Sequence, residues 1–141
     1  MRAGARTLRG TLLGNEVRQL VVDDGIFTNG LRITYFTVWK EDFNAVQSAY
    51  GLLSTRDTVV PVGTFPANDP ASFAWAAQVI TGPLDTITTW DRIDPDHVVN
   101  EELFIHNRAN TVINYLIVAE PYSMTEDEGV LQLVKNKQQS V

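Results

Sequence analysis

The chain has 141 residues, 44% apolar and 20% charged, with no cysteine and a net charge of −6; one domain of that length buries roughly two thirds of the surface that its unfolded form exposes. No apolar run approaches the ~18 residues of a membrane-spanning helix, and the lack of cysteine excludes disulfides, thiolate metal sites and a cysteine nucleophile. Arg2, Arg6 and Arg9 stand without an acid in the first nine residues and leave −9 on the remainder, a balance that argues against a nucleic-acid-binding body, which needs clustered Lys and Arg.

The start, MRAGARTLRG, lacks the apolar segment and cleavage site of a secretory signal and is expected to stay in the mature protein. Residues 1–9 read as a flexible basic arm and 10–141 as a single domain. The arm is either a solvated terminus or a docking element for an acidic partner or for nucleic acid. Thr7 to Leu13 alternates, with Leu8, Gly10 and Leu12 on one face, and Gly14-Asn15 is a turn signal before a second short strand, Glu16 to Val22. Asp23-Asp24-Gly25 and Thr28-Asn29-Gly30 carry turn chemistry.

Leu31 to Lys40, LRITYFTVWK, is the clearest strand of the first half. Strict alternation puts Leu31, Ile33, Tyr35, Thr37 and Trp39 on one face and Arg32, Thr34, Phe36, Val38 and Lys40 on the other. Its middle is then apolar on both sides, so Phe36 and Val38 are expected to need cover from a helix, a loop or another subunit. Glu41 to Ser48 reads as a loop with a possible helical turn, Ala49 to Thr55 as a strand, and Val59 to Gly63 as extended chain around Pro61. Ala71 to Thr81 has Phe73, Trp75, Ala77 and Val79 at period two and reads as a half-buried strand, and Leu84 to Trp90 as one more before an acidic loop, Asp91 to Asp96.

Val98 to Glu120 reads as a hairpin: Val99, Leu103 and Ile105 on one face of its first strand, a turn at Asn107 to Asn110, and a second strand, Val112 to Ala119, apolar on both faces. A strand of that kind belongs in the middle of a sheet. After Pro121, Ser123 with Glu126 and Thr125 with Glu128 are two registers of a capping box, and Val130, Leu131, Leu133 and Val134 form the apolar stripe of a short C-terminal helix. The sum is a mainly β chain, an antiparallel β-sandwich of jelly-roll-like type with one short C-terminal helix.

Chemistry-bearing residues are few. Asp91, Asp94, Asp96, Glu101 and Glu102 surround His97, but the spacing lacks the central glycine and the terminal glutamate of a calcium loop. A nine-residue strand would hold His97 and His106 roughly 30 Å apart, and neither a Gly-x-Ser-x-Gly turn nor a phosphate loop is present. No enzyme activity, metal or cofactor is expected from these residues. Trp39, Trp75 and Trp90, with Tyr35, Phe73 and Tyr115, read first as core and secondly as the lining of a small-ligand or glycan groove. The excess of doubly apolar strands points to subunit contacts through Phe36, Val38, Val112, Leu116 and Val118.

The segment Ile93 to Gln138, with IDPDHVVNEELFIHN followed by INYLIVAEPYSMTEDEGVLQLVKNKQQ, resembles small virion structural proteins of marine tailed bacteriophages. In that family an Asp-Pro-Asp turn, an apolar hairpin and an acidic-to-basic helix close the chain. The resemblance implies a non-enzymatic capsid-associated protein, a decoration or cement protein or a minor shell component. It further implies a homo-oligomer, a trimer above all, made in the host cytoplasm and assembled on the virion against the major capsid protein or another virion protein, with no membrane involved. The three arm arginines, Arg2, Arg6 and Arg9, are the residues expected to grip that partner. A small-ligand or glycan-binding jelly roll is the alternative.

Overall fold

Alternating apolar residues bounded by Gly, Asn and Asp build strands, and strands are what the chain forms. A computed structural model describes residues 6–21, 29–42, 48–56, 71–81, 86–99, 102–123, 130–131 and 134. Among these residues lie nine strands: β1 (Arg6–Leu12), β2 (Val17–Val21), β3 (Asn29–Lys40), β4 (Ala49–Ser54), β5 (Ser72–Thr81), β6 (Thr86–Ile93), β7 (Val98–Val99), β8 (Glu102–Asn107) and β9 (Ile113–Ser123). They form two antiparallel sheets, one of order β1-β9-β3-β7 and one of order β2-β8-β4-β5-β6. The core between them draws Leu12, Ile33, Phe36, Val38, Ile113 and Ile117 from the first sheet and Leu53, Phe73, Ala74, Leu103 and Ile105 from the second.

The two faces of β3 differ from strict alternation because the strand contains a bulge. Ile33 pairs with Ala119 and Tyr35 with Val118, so Thr34 has no partner position of its own. One extra residue reverses the side-chain parity beyond it. Leu31 and Ile33 before the bulge, and Phe36 and Val38 after it, therefore all face the core and are at most 5% exposed, while Tyr35 turns outward at 44%. The Thr34 hydroxyl donates to the Val118 carbonyl at 3.2 Å and so occupies an acceptor at the irregularity. Phe36 and Val38, for which cover from outside the sheet was expected, are covered by the opposite sheet of the same chain.

A second bulge does the same in β5. Leu53 pairs with Ala74 and Ser54 with Ser72, so the intervening Phe73 joins Ala74 in the core and Trp75 lies on the opposite face. Close sheet packing needs small residues where β3 crosses β4. A Cβ on Gly51 would lie 2.5 Å from Val38 Cγ1 and 3.0 Å from Phe36 Cζ, distances that no side chain accepts without displacement.

Val98 to Glu120 is not a hairpin. β8 pairs with β2 and β4, whereas β9 pairs with β1 and β3. Residues Arg108 to Val112 carry the chain from one sheet to the other, which lets Leu103 and Ile105 face Ile113 and Ile117 across the core. β9 does occupy an inner position in its sheet, as two apolar faces require. The link from β1 to β2 makes the same crossing beside it, and the two arches are fastened together. Asn15 N–H donates to Ala109 O at 3.0 Å and Asn107 N–H to Glu16 O at 2.8 Å.

Asn107, fully buried, sits where the arches meet. Its Nδ2 donates to Leu13 O and Thr111 O at 2.8 Å each, and its Oδ1 accepts from Ala109 N–H at 2.9 Å. Asn15 adopts φ 61°, a left-handed conformation that asparagine tolerates.

Two expectations change at the ends and loops, and a third, the C-terminal helix, falls almost wholly outside the described residues. The basic arm is shorter than residues 1–9, because Arg6 to Arg9 already pair with Ala119 to Leu116 as part of β1; Arg2 lies outside the described residues. The acidic loop is shorter too, since Asp91 and Arg92 belong to β6. Among the described residues no helical element is delimited: β9 runs to Ser123, the capping boxes beyond it lie outside the described residues, and Val130, Leu131 and Val134 are 46–69% exposed. Residues 43–47 and 57–70, with the possible helical turn and the extended stretch around Pro61, also fall outside.

Candidate interaction face

The side of the four-stranded sheet turned away from the core is built by three strands. β9 alternates Ile113, Tyr115, Ile117 and Ala119 inward, all buried, with Asn114, Leu116, Val118 and Glu120 outward, all half-buried. Register then sets its outward residues between those of β1 and β3. Val118 lies between Thr7 and Tyr35, Leu116 between Arg9 and Thr37, and Asn114 between Thr11 and Trp39.

The result is an apolar centre of Leu116 and Val118 with two aromatic rings on one flank and Arg9 on the other. Thr11 Oγ1 and Asn114 Oδ1, 2.8 Å apart, close one end of the band. Toward the other end Arg32 lies over the Tyr122 ring at 4.4 Å, a cation–π contact that keeps charge beside the apolar band.

Of the residues expected at a subunit contact, Leu116 and Val118 therefore occupy the middle of an outward face. Val112 is half-buried in the arch before β9, its carbonyl accepting from Glu41 N–H at 3.2 Å. Phe36 and Val38 are core. Arg6 and Arg9 are exposed on β1, the outer strand of this sheet.

Where β3 passes β6 there is a cleft of about 120 Å³ lined by Tyr35, Thr37, Thr89, Trp90 and Asp91. It offers an aromatic wall, two hydroxyls and a carboxylate. Its volume is well under the ~300 Å³ at which pockets begin to enclose a drug-sized ligand. The three tryptophans do not share a groove: Trp39 is on the outer face of β3, Trp75 is on the outer face of the five-stranded sheet opposite Leu52, and Trp90 alone lines the cleft. Phe73 and Tyr115 are buried in the core.

The acidic segment is a turn. Asp94 Oδ1 accepts from Asp96 N–H at 3.0 Å, and Asp94 N–H donates to Phe73 O at 2.8 Å. His97 is buried and stacked on Phe73, ring centroids 4.3 Å apart and 8° from parallel. Glu102 is exposed on β8, and Glu101 lies outside the described residues. Among the described residues no three His, Asp or Glu side chains gather where a metal ion could be held.

Two arrangements escaped sequence reasoning. Ser54 Oγ and His106 Nε2, on neighbouring strands, are 2.7 Å apart, the reach of a nucleophile and its base. The Ser54 hydroxyl, however, also donates to Arg56 O at 2.5 Å, and Nε2 lies 3.2 Å from the same carbonyl. With the serine proton committed to that carbonyl, Nε2–H is the donor toward Oγ, so the pair clasps the end of β4 and the nitrogen facing the serine has no lone pair to activate it.

The second is Arg108, 1% exposed. In sequence it sits inside a polar turn, NRAN, and nothing in the spacing distinguishes it from a solvated arginine. Both residues follow from which sheet β8 joins, which local sequence does not encode.

Compared with family models, with curated proteins and with solved structures, the chain gives no match.

Proposed function

We propose that the chain is a non-enzymatic virion structural protein, a decoration or cement protein or minor shell component of a capsid. It oligomerises, and meets its virion partner, through the outer face of the four-stranded sheet. The observation that carries this reading is the half-buried apolar centre of Leu116 and Val118 beside Tyr35, which is 44% exposed. A second sheet or subunit laid on that face would remove the remaining apolar surface from water.

Strand order adds support by analogy of fold. With β6 set aside as a hairpin extension of β5, the remaining eight strands stand in the orders 1-9-3-7 and 2-8-4-5, an order that supports the reading of a jelly roll, an architecture common in capsids and lectins. The likeness of Ile93 to Gln138 to phage virion proteins, with its C-terminal helix after Ser123, is the remaining support. Trimers made in the host cytoplasm and carried into the virion follow from that likeness.

Light scattering on the purified protein tests the proposal. A defined oligomer, dissociated to a folded monomer of lower melting temperature by Leu116→Asp with Val118→Asp, is the expected result. A strict monomer at high micromolar concentration overturns it.

The cleft supports a second reading, a glycan-binding jelly roll in which Trp90 stacks on one sugar face and Asp91 and Thr37 accept and donate to its hydroxyls. At about 120 Å³ the cleft would take the edge of a sugar and not enclose it. Quenching of tryptophan fluorescence by oligosaccharides, lost in Trp90→Ala, would favour this reading over the first.

A further inference from the structure

Arg108 is the first residue after β8, and its N–H continues the β8–β4 pairing by donating to Tyr50 O at 2.9 Å. Alternation places its side chain with His106 on the face of the five-stranded sheet opposite to Leu103, Ile105 and Asn107, the face that does not enter the core. There the guanidinium is buried, and its Nε and Nη1 have no hydrogen-bond partner. Among the described residues no ion pair reaches it. On the same face, one strand beyond β4, the Trp75 Nε1–H is also buried without an acceptor.

An arginine cannot shed its proton at any ordinary pH. Burial depresses the Arg108 pKa but leaves the group charged, and an uncompensated buried charge costs several kcal/mol. Three donor nitrogens, Arg108 Nε and Nη1 and Trp75 Nε1, and a positive charge are thus buried on one face; the one lone-pair nitrogen beside them, His106 Nδ1 in the tautomer that carries its proton on Nε2, is neutral and cannot balance the charge. What is missing is an anion rich in acceptors. Nε and Nη1 each share an edge of the guanidinium with Nη2, and such an edge receives two oxygens of one carboxylate or phosphate.

We propose that Arg108 is the centre of a binding site for a small oxyanion on the outer face of the five-stranded sheet, with Trp75 Nε1–H as a further donor on that face. The anion completes the fold there as a counter-ion, so its uptake stabilises the native chain by mass action.

The test is thermal unfolding of the full chain at constant ionic strength with sodium chloride replaced stepwise by sodium phosphate, and in a parallel series by sodium acetate. The melting temperature is expected to rise with the logarithm of anion concentration above the dissociation constant, by roughly 5–10 °C at a hundred times that constant. A response to phosphate alone identifies a phosphate-type ligand and a response to both a general oxyanion site. Arg108→Met should melt at or above the wild-type temperature in chloride, because a buried unpaired charge is gone, and should be indifferent to either anion.

A wild-type melting temperature that does not respond to phosphate or acetate overturns the site, as does Arg108→Met with an undiminished response. Should Arg108→Met not fold, calorimetric titration of the wild-type protein with phosphate decides: saturable binding of one phosphate per chain, at least tenfold weaker in Arg108→Lys, sustains the proposal. Absence of saturable binding, or a response that Arg108→Lys leaves unchanged, ends it.

Discussion

Asn107 shows how much of the fold one side chain can carry. It ties Leu13, Thr111 and Ala109 together where both crossings between the sheets meet. Asn107→Ala removes these three hydrogen bonds and strands the buried Ala109 N–H, at a cost of roughly 2–4 kcal/mol, read as a lower urea midpoint at unchanged slope. Asn107→Asp should cost at least as much, since a carboxylate would face two carbonyl oxygens with no proton to offer. Gly51 makes a complementary case: Gly51→Ala should lose about 1–3 kcal/mol by overpacking against Val38 and Phe36, and Val38→Ala in the same chain should recover part of it. A double-mutant cycle with no coupling would contradict the contact. Neither residue announces itself in the sequence. Asn107 reads as a turn residue and Gly51 as a weak point in a strand, because their roles depend on segments far away in the chain.

At the scale of elements, the bulge at Thr34 decides which half of β3 faces the core. Deleting Thr34 would restore strict alternation and turn either Leu31 and Ile33 or Phe36 and Val38 out of the core. Such a chain is expected to lose its cooperative unfolding transition, whereas Thr34→Ala, which keeps the extra residue and loses one exposed hydrogen bond, should cost less than about 1 kcal/mol. Differential scanning calorimetry separates the two outcomes. β1 offers a second test. Deleting residues 1–9 removes the pairing of Arg6 to Arg9 with β9 and the packing of Leu8 on the core, so the truncated chain should melt several degrees lower. An unchanged melting temperature would show that these residues are an arm after all.

For the whole molecule, the question is what lies on its two outer faces. The proposed function assigns the four-stranded sheet to subunit contact, and the buried Arg108 assigns the five-stranded sheet to a small anion. The two are separable: Leu116→Asp with Val118→Asp should alter mass in solution and leave the phosphate response of the melting temperature intact, and Arg108→Met should do the reverse. Were one variant to abolish both behaviours, the faces would be coupled through the core, and neither could be assigned on its own.

Local sequence determined the strand content, most strand limits to within a residue or two, and the turn at Gly14-Asn15, because alternation and turn chemistry act over a few residues and leave a periodic trace. Leu116 and Val118 were also legible as outward apolar residues of a strand flanked on both sides. Only the tertiary structure decided that β8 and β9 part into different sheets, that single extra residues at Thr34 and Phe73 reverse the parity of their strands, and that Arg108 lies buried without a counter-charge. A bulge appears in sequence as an ordinary residue, and an arch differs from a hairpin only in which distant strands accept its hydrogen bonds. The partner that settles each choice is many residues away, so these features belong to the folded chain and leave no periodic trace.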